Sequence, residues 1–168
     1  SLVGQQIDIA LSIETFYKTW MTKTAMPTRN WKLIRSNSTG AQIVANIVGQ
    51  KPEGVYLWKA TTLPWMQRDF RLITCITGVE CINPVIWTYT TLTPTVDGVY
   101  SATIDAPEVG YTGFLIEAVF GFNYPGDPLN PTKRLRLTTE VNVVPESFPF
   151  PPCGNNCQPP SFEKPHEI

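Results

Sequence analysis

The side chains best suited to chemistry in this chain are four cysteines, one histidine and a short charged run. Cys75 and Cys81 bracket five residues, and Cys153 and Cys157 bracket three. Four cysteines admit three pairings. The two local ones, Cys75–Cys81 and Cys153–Cys157, are the simplest, and they require an oxidising compartment. A four-thiolate zinc site is the rival reading. Structural zinc pairs usually sit about two to four residues apart, which the first pair exceeds. Disulfides come first in this ordering, free thiols second and zinc last. Nucleophilic catalysis needs a nucleophile, a base and a group that orients the base. His166 lies near the end of a proline-rich stretch, where nothing holds an imidazole within reach of a partner. There is no G-x-S-x-G elbow and no glycine-rich phosphate loop.

The sharpest polar cluster is Arg68-Asp69-Phe70-Arg71. Two arginines flanking such a site suit a clamp on a carboxylate or phosphate. Its neighbours are core-like, however, which favours a structural role in which Asp69 pairs with an arginine at a strand mouth. Trp65, beside Pro64 in the preceding link, is the tryptophan expected to be exposed and is the candidate for a binding surface. Trp31, Trp58 and Trp87 lie in strand-like stretches and are expected to fill the core. Glu108 and Glu117 have no spacing that marks paired-carboxylate glycosidase chemistry. Asn37-Ser38-Thr39 is a glycosylation sequon in a turn-like stretch, which accords with secretion. No cofactor or metal is implied.

The elements that must position these residues are mostly strands. In residues 54–75 two apolar-aromatic runs, Val55–Ala60 and Phe70–Thr74, flank the Pro64–Arg68 link. Side chains alternate along a strand, so Val55 and Leu57 face one way and Tyr56 and Trp58 the other. Apolar residues on both faces predict an inner strand with something packed on each side. Further strands are expected at Trp31–Arg35, Gln42–Val48, Val85–Leu92, Val99–Ile104, Thr112–Phe120 and Leu135–Val144. Turn residues separate them, and Asp97-Gly98 before Val99 is a hairpin signal. Short strands at this spacing predict a mainly β fold, an antiparallel sandwich of the immunoglobulin or fibronectin kind.

Before the strands, residues 5–23 carry a helical period. Ile9, Ile13, Phe16, Tyr17 and Trp20 make one apolar stripe suited to docking. Asp8 and Glu14 towards its start and Lys18 and Lys23 towards its end suit the helix dipole, and Pro27 is expected to stop it. After the strands, Pro145–Ile168 holds seven prolines in 24 residues and reads as an extended tail. A net charge of −1 over 168 residues offers no electrostatic case for nucleic acid or an anionic membrane. No apolar run reaches the roughly 18–20 residues of a membrane span. The chain opens on Ser1 without a signal peptide, and is expected to be a fragment or processed product.

LWKATTLPWMQRDFRL resembles the segment LW-x-A-(T/N)…RDFR of the PhoPQ-activated pathogenicity-related proteins, a family that includes secreted autocrine proliferation repressors. Two flanks support the likeness. SLVGQQIDIALSIETFYKTW with Pro27 and Trp31 resembles the family's helix, proline and tryptophan. Tyr111-Thr112-Gly113-Phe114-Leu115-Ile116-Glu117 and Leu137-Thr138-Thr139-Glu140-Val141 resemble its later strands, with Val144-Pro145 and Phe148-Pro149 at the end. The resemblance covers about residues 1–150 and departs from the family at the Cys75–Cys81 insertion and the cysteine-containing tail. It implies an α/β-hydrolase-like part followed by an appended β-sandwich, with any serine, acid and histidine lying before Ser1. Residues 1–26 are then the last helix of the hydrolase-like part, 31–148 the sandwich, and 149–168 the tail.

The expectation is a noncatalytic, extracellular sandwich that packs on the upstream domain and gates it. The helix would meet that domain, or another chain, through Ile9, Ile13, Phe16 and Trp20. Two other readings stand beside it. One is a secreted module for a sugar or receptor acting alone through Trp65. The other is a part that shapes access to an active hydrolase or peptidase.

Overall fold

Alternation of apolar and polar side chains, and the glycines between them, set out a strand-rich chain. The computed structural model describes residues 2–36, 39–63, 68–70, 85–123 and 132–147. Within them one helix, α1 (Leu2–Met21), precedes β1 (Thr28–Ser36), β2 (Gly40–Val48), β3 (Gly54–Thr61), β4 (Thr88–Thr91), β5 (Val99–Asp105), β6 (Thr112–Asn123), β7 (Thr132–Thr138) and β8 (Asn142–Val144). All the strands pair antiparallel. One sheet has the order β1-β2-β5 and the other β4-β3-β6-β7, with β8 also on β6. Strands 1, 2 and 5 against strands 3, 4, 6 and 7 is the division of an immunoglobulin-type sandwich. The mainly β, antiparallel fold expected from sequence is the fold observed.

The core lies between the two sheets. In the first, Ile43 stands opposite Ala102 and Ala45 opposite Tyr100. In the second, Leu57 stands opposite Ile116 and Phe120 opposite Leu135. Strand β6 supplies every second residue to this interior: Phe114, Ile116, Ala118, Phe120 and Phe122, with Phe114 and Phe120 fully buried. Burying one such phenyl ring contributes about 1.5–3 kcal/mol. As expected, β3 is an inner strand, flanked by β4 and β6.

Three expectations are adjusted. The stretch expected as one strand from Leu135 to Val144 is two, because Thr139–Val141 leaves the ladder. Both parts run along the same side of β6, β7 from Glu117 onward and β8 at Thr112–Phe114. The Asp97-Gly98 turn is present, with Gly98 at φ 73° and Val99 N–H donating to the Val96 carbonyl at 2.9 Å. It carries the chain from one sheet to the other instead of closing a β4–β5 hairpin. The helix ends before Pro27 acts. Thr24 N–H donates to the Thr19 carbonyl (3.0 Å) and Lys23 N–H to that of Trp20 (3.2 Å), with Lys23 at φ 52°. This is a Schellman closure around a left-handed residue.

Helix α1 lies along β7, and its contact face is not the apolar stripe. Thr15 and Thr19 are fully buried. Their hydroxyls donate to the carbonyls of Leu11 and Thr15, each at 2.7 Å, so no polar atom of theirs is stranded. Ser12 Oγ accepts from the Arg136 backbone N–H at 3.0 Å, occupying an otherwise open position on the sheet edge. Lys133, only 4% exposed, donates to Glu14 at 2.9 Å, and Lys18 pairs with Glu14 at 3.0 Å. These donors hold the Glu14 carboxyl below its ordinary value, the Lys133 bond most and the Lys18 bond next.

The apolar stripe faces away. Ile9, Ile13, Phe16, Tyr17 and Trp20 are 50–67% exposed. Among the described residues, no helix is long and apolar enough to cross a membrane.

Candidate functional site

Because side chains alternate, the residues of β3 and β6 that do not enter the core point to the outer face of the five-stranded sheet. Tyr56 stands opposite Glu117, and Trp58 opposite Leu115. On the other side of β3, Trp58 stands opposite Tyr89 and Tyr56 opposite Thr91. Beyond β6, β7 adds Arg134, Arg136 and Thr138 to the same face. Together with Asp8 and Ile9 of α1, these residues bound a groove of about 770 Å³ whose lining includes Tyr56, Trp58, Trp87, Tyr89, Leu115 and Val119. That volume suits a small organic ligand or a short oligomer.

The floor is aromatic and its rings pack against one another. The Trp58 and Tyr89 centroids are 4.9 Å apart, and Tyr56 meets Tyr89 edge-on at 5.3 Å. At one end Phe70 and Trp87 are 6.1 Å apart and lie over Gly113. A Cβ at position 113 would come within 3.0 Å of the Phe70 ring, so glycine is what allows the rings to rest on the strand.

Glu117 organises the polar part. It is 8% exposed in the middle of an apolar strand, a costly place for a carboxylate. Trp58 Nε1 donates to its Oε2 at 2.9 Å, and Arg136 Nη1 donates to both oxygens at 3.2 Å. The same guanidinium reaches Asp8 through Nη2 at 3.2 Å. Arg134 pairs with Glu53 at 3.2 Å along the rim. The carboxylate thus fixes the plane of Trp58 and the position of Arg136 at once. This arrangement holds Trp58 and Arg136 in fixed positions. Among the described residues the groove brings together neither a nucleophile with a base nor a set of metal ligands.

The residues singled out from sequence fall elsewhere. Arg68 and Asp69 are half-buried after β3, each already engaged, and neither lines the groove. Trp65, Arg71, Asn37, Cys75, Cys81, Cys153, Cys157 and His166 lie outside the described residues, as does the tail beyond residue 147. The three tryptophans expected in the core are not there. Trp58 and Trp87 line the groove, while Trp31 is 38% exposed with the Arg29 guanidinium 5.9 Å above its ring. Glu117 is legible in the sequence only as a lone acid in the apolar run TGFLIEAVFGFN. That mismatch between residue and surroundings is the available signal.

Comparison with known proteins adds a lineage. The model of the PhoPQ-activated pathogenicity-related protein family matches residues 2–71. The chain is also similar to the autocrine proliferation repressor protein A of Dictyostelium discoideum, 37% identical over 157 residues. That match takes in 92% of this chain and 31% of the relative, so the chain spans about a third of the relative's length. No solved structure matches significantly.

Proposed function

Since this chain belongs to the PhoPQ-activated pathogenicity-related family, we propose that it is the C-terminal, noncatalytic sandwich of a longer secreted protein with a hydrolase-like domain before it. The observation that carries this reading is the division of α1 into two faces. Its threonine face is seated on β7, while Ile9, Ile13, Phe16, Tyr17 and Trp20 remain 50–67% exposed. A continuous apolar stripe of this size marks an interaction surface. The core of the sandwich is closed without it. In the proposed arrangement the stripe is covered by the hydrolase-like part, and the sandwich is held beside that part as a support or gate. The relative's remaining length supplies room for such a domain.

In this reading the protein is extracellular, with Cys75–Cys81 and Cys153–Cys157 as local disulfides and Asn37 as a glycan site. Nonreducing peptide mapping tests the pairing. Free thiols, or Cys75 joined to Cys153, would refute it.

Surface labelling tests the main proposal. Tyr17 and Trp20 should be modified readily by hydroxyl radicals in the 168-residue chain and be protected in the full-length protein. Equal labelling in both would exclude the stripe as the interdomain contact. The chain alone should show no turnover on ester and peptide panels. Activity that survives repurification and vanishes on substitution within 31–148 would overturn the noncatalytic assignment.

A further inference from the structure

The groove on the outer face of the five-stranded sheet meets the α1 stripe at Ile9, but the docking proposal leaves its aromatic and charged lining without a role. The geometry points to a binding site for a neutral oligosaccharide. Three features carry this inference. First, Tyr56, Trp58, Trp87 and Tyr89 line one groove, Tyr89 tilted against Trp58 and edge-on to Tyr56, and Tyr89 is 58% exposed. Aromatic surfaces of this kind suit the apolar C–H faces of pyranose rings, leaving hydroxyls free to meet polar groups at the sides. Second, those polar groups are present as paired donors and acceptors: Asp8 with Arg136 and Glu117, and Glu53 with Arg134. Both arginines are already engaged by carboxylates. The lining holds three acids, Asp8, Glu53 and Glu117, against two bases, Arg134 and Arg136. A phosphate, sulfate or uronate would find no excess positive charge, whereas a neutral polyol can bridge such pairs by donating to one member and accepting from the other.

The third feature is the buried carboxylate. A fold seeking only stability gains little from an ion pair in place of packed apolar groups. Glu117 fixes the Trp58 indole by its Nε1–H and the Arg136 guanidinium in one geometry. An aromatic platform held rigid before the ligand arrives loses less entropy on binding. Glu117 is therefore a positioning residue, and Trp58 and Tyr89 are the contact residues.

The test is titration of the 168-residue chain with hexaoses of β-1,4-glucose, β-1,3-glucose, β-1,4-N-acetylglucosamine and α-1,6-mannose, followed by tryptophan fluorescence and calorimetry. A high-mannose N-glycan serves as a second source of the same chemistry, and a heparin hexasaccharide as the charged control. The expected result is saturable binding of at least one neutral glycan, with Tyr89→Ala weakening it at least about tenfold. Tyr89 is exposed, so that variant should keep its thermal midpoint. Glu117→Gln should weaken binding less and broaden the Trp58 side-chain resonance, a sign of lost positioning. Tighter binding of the free hexaose than of the N-glycan would assign a polysaccharide, and the reverse a glycoprotein; either supports the site. No neutral glycan binding at about 10 mM, preference for heparin, or binding indifferent to both Tyr89→Ala and Trp58→Ala would overturn the proposal.

Discussion

Strand β6 and helix α1 dispose of their apolar side chains in opposite ways. On β6 every second residue from Phe114 to Phe122 enters the core, and the outward positions carry Glu117 with its satisfied partners. On α1 the small hydroxyl residues Thr15 and Thr19 are buried, and Ile9, Ile13, Phe16, Tyr17 and Trp20 are in the open. The difference shows where apolar side chains are enclosed by the sandwich and where they are left exposed. The two sheets close their own interior, and α1 serves them as a polar strap on the β7 edge, through Ser12, Glu14 and Asp8. Its apolar stripe adds nothing to that interior.

The contrast is broken most directly in the core. Phe120→Ala should cost about 3–5 kcal/mol, because the ring is fully enclosed and its cavity cannot collapse. Chemical denaturation measures this, and a loss of under about 1 kcal/mol would mean that the sandwich core is looser than described. Next comes Arg136→Ala, which leaves Glu117 with one donor in an apolar setting. Arg136 is 29% exposed, so water moderates the loss to about 1–3 kcal/mol. Glu117→Gln should cost less than Arg136→Ala, since a neutral amide tolerates burial better. The reverse order would show that the arginine, and not the carboxylate, is the group requiring compensation.

Much of the fold is legible in the sequence. Short apolar-rich runs bounded by turn residues identify β2, β3, β5 and β6, and the three- and four-residue steps identify α1. The groove is not legible, for a physical reason. Trp58 and Glu117 meet only because β3 and β6 pair in one register, and register is a long-range property that no local pattern carries. Strand tryptophans usually enter a core, so propensity places Trp58 and Trp87 there and misses the groove. The docking face of α1 is hidden in the same way. Hydrophobicity marks the stripe as a contact surface, but the seat on β7 depends on small residues that fit close to a sheet edge, and threonine carries no such signal.

Acid should loosen the strap before it touches the core. The Glu14 carboxyl is held below its ordinary 4.5 chiefly by Lys133. A lowered folded-state value stabilises the native protein above that ordinary value, and the contribution disappears as pH falls through the lowered one. Thermal midpoints followed downward from about pH 5 should therefore fall more in the native chain than in Glu14→Gln. Parallel curves would show that the Glu14–Lys133 contact does not couple α1 to the sandwich.

The smallest expected effect tests the central claim. Phe16→Ser together with Trp20→Ser removes two of the largest members of the exposed stripe, which are 50% and 67% exposed. Thermal unfolding and light scattering are recorded together on the 168-residue chain. The unfolding free energy should be unchanged within about 0.5 kcal/mol and self-association should be reduced. Collapse of the sandwich on making the double change would contradict it, and would place the stripe inside the domain's own core.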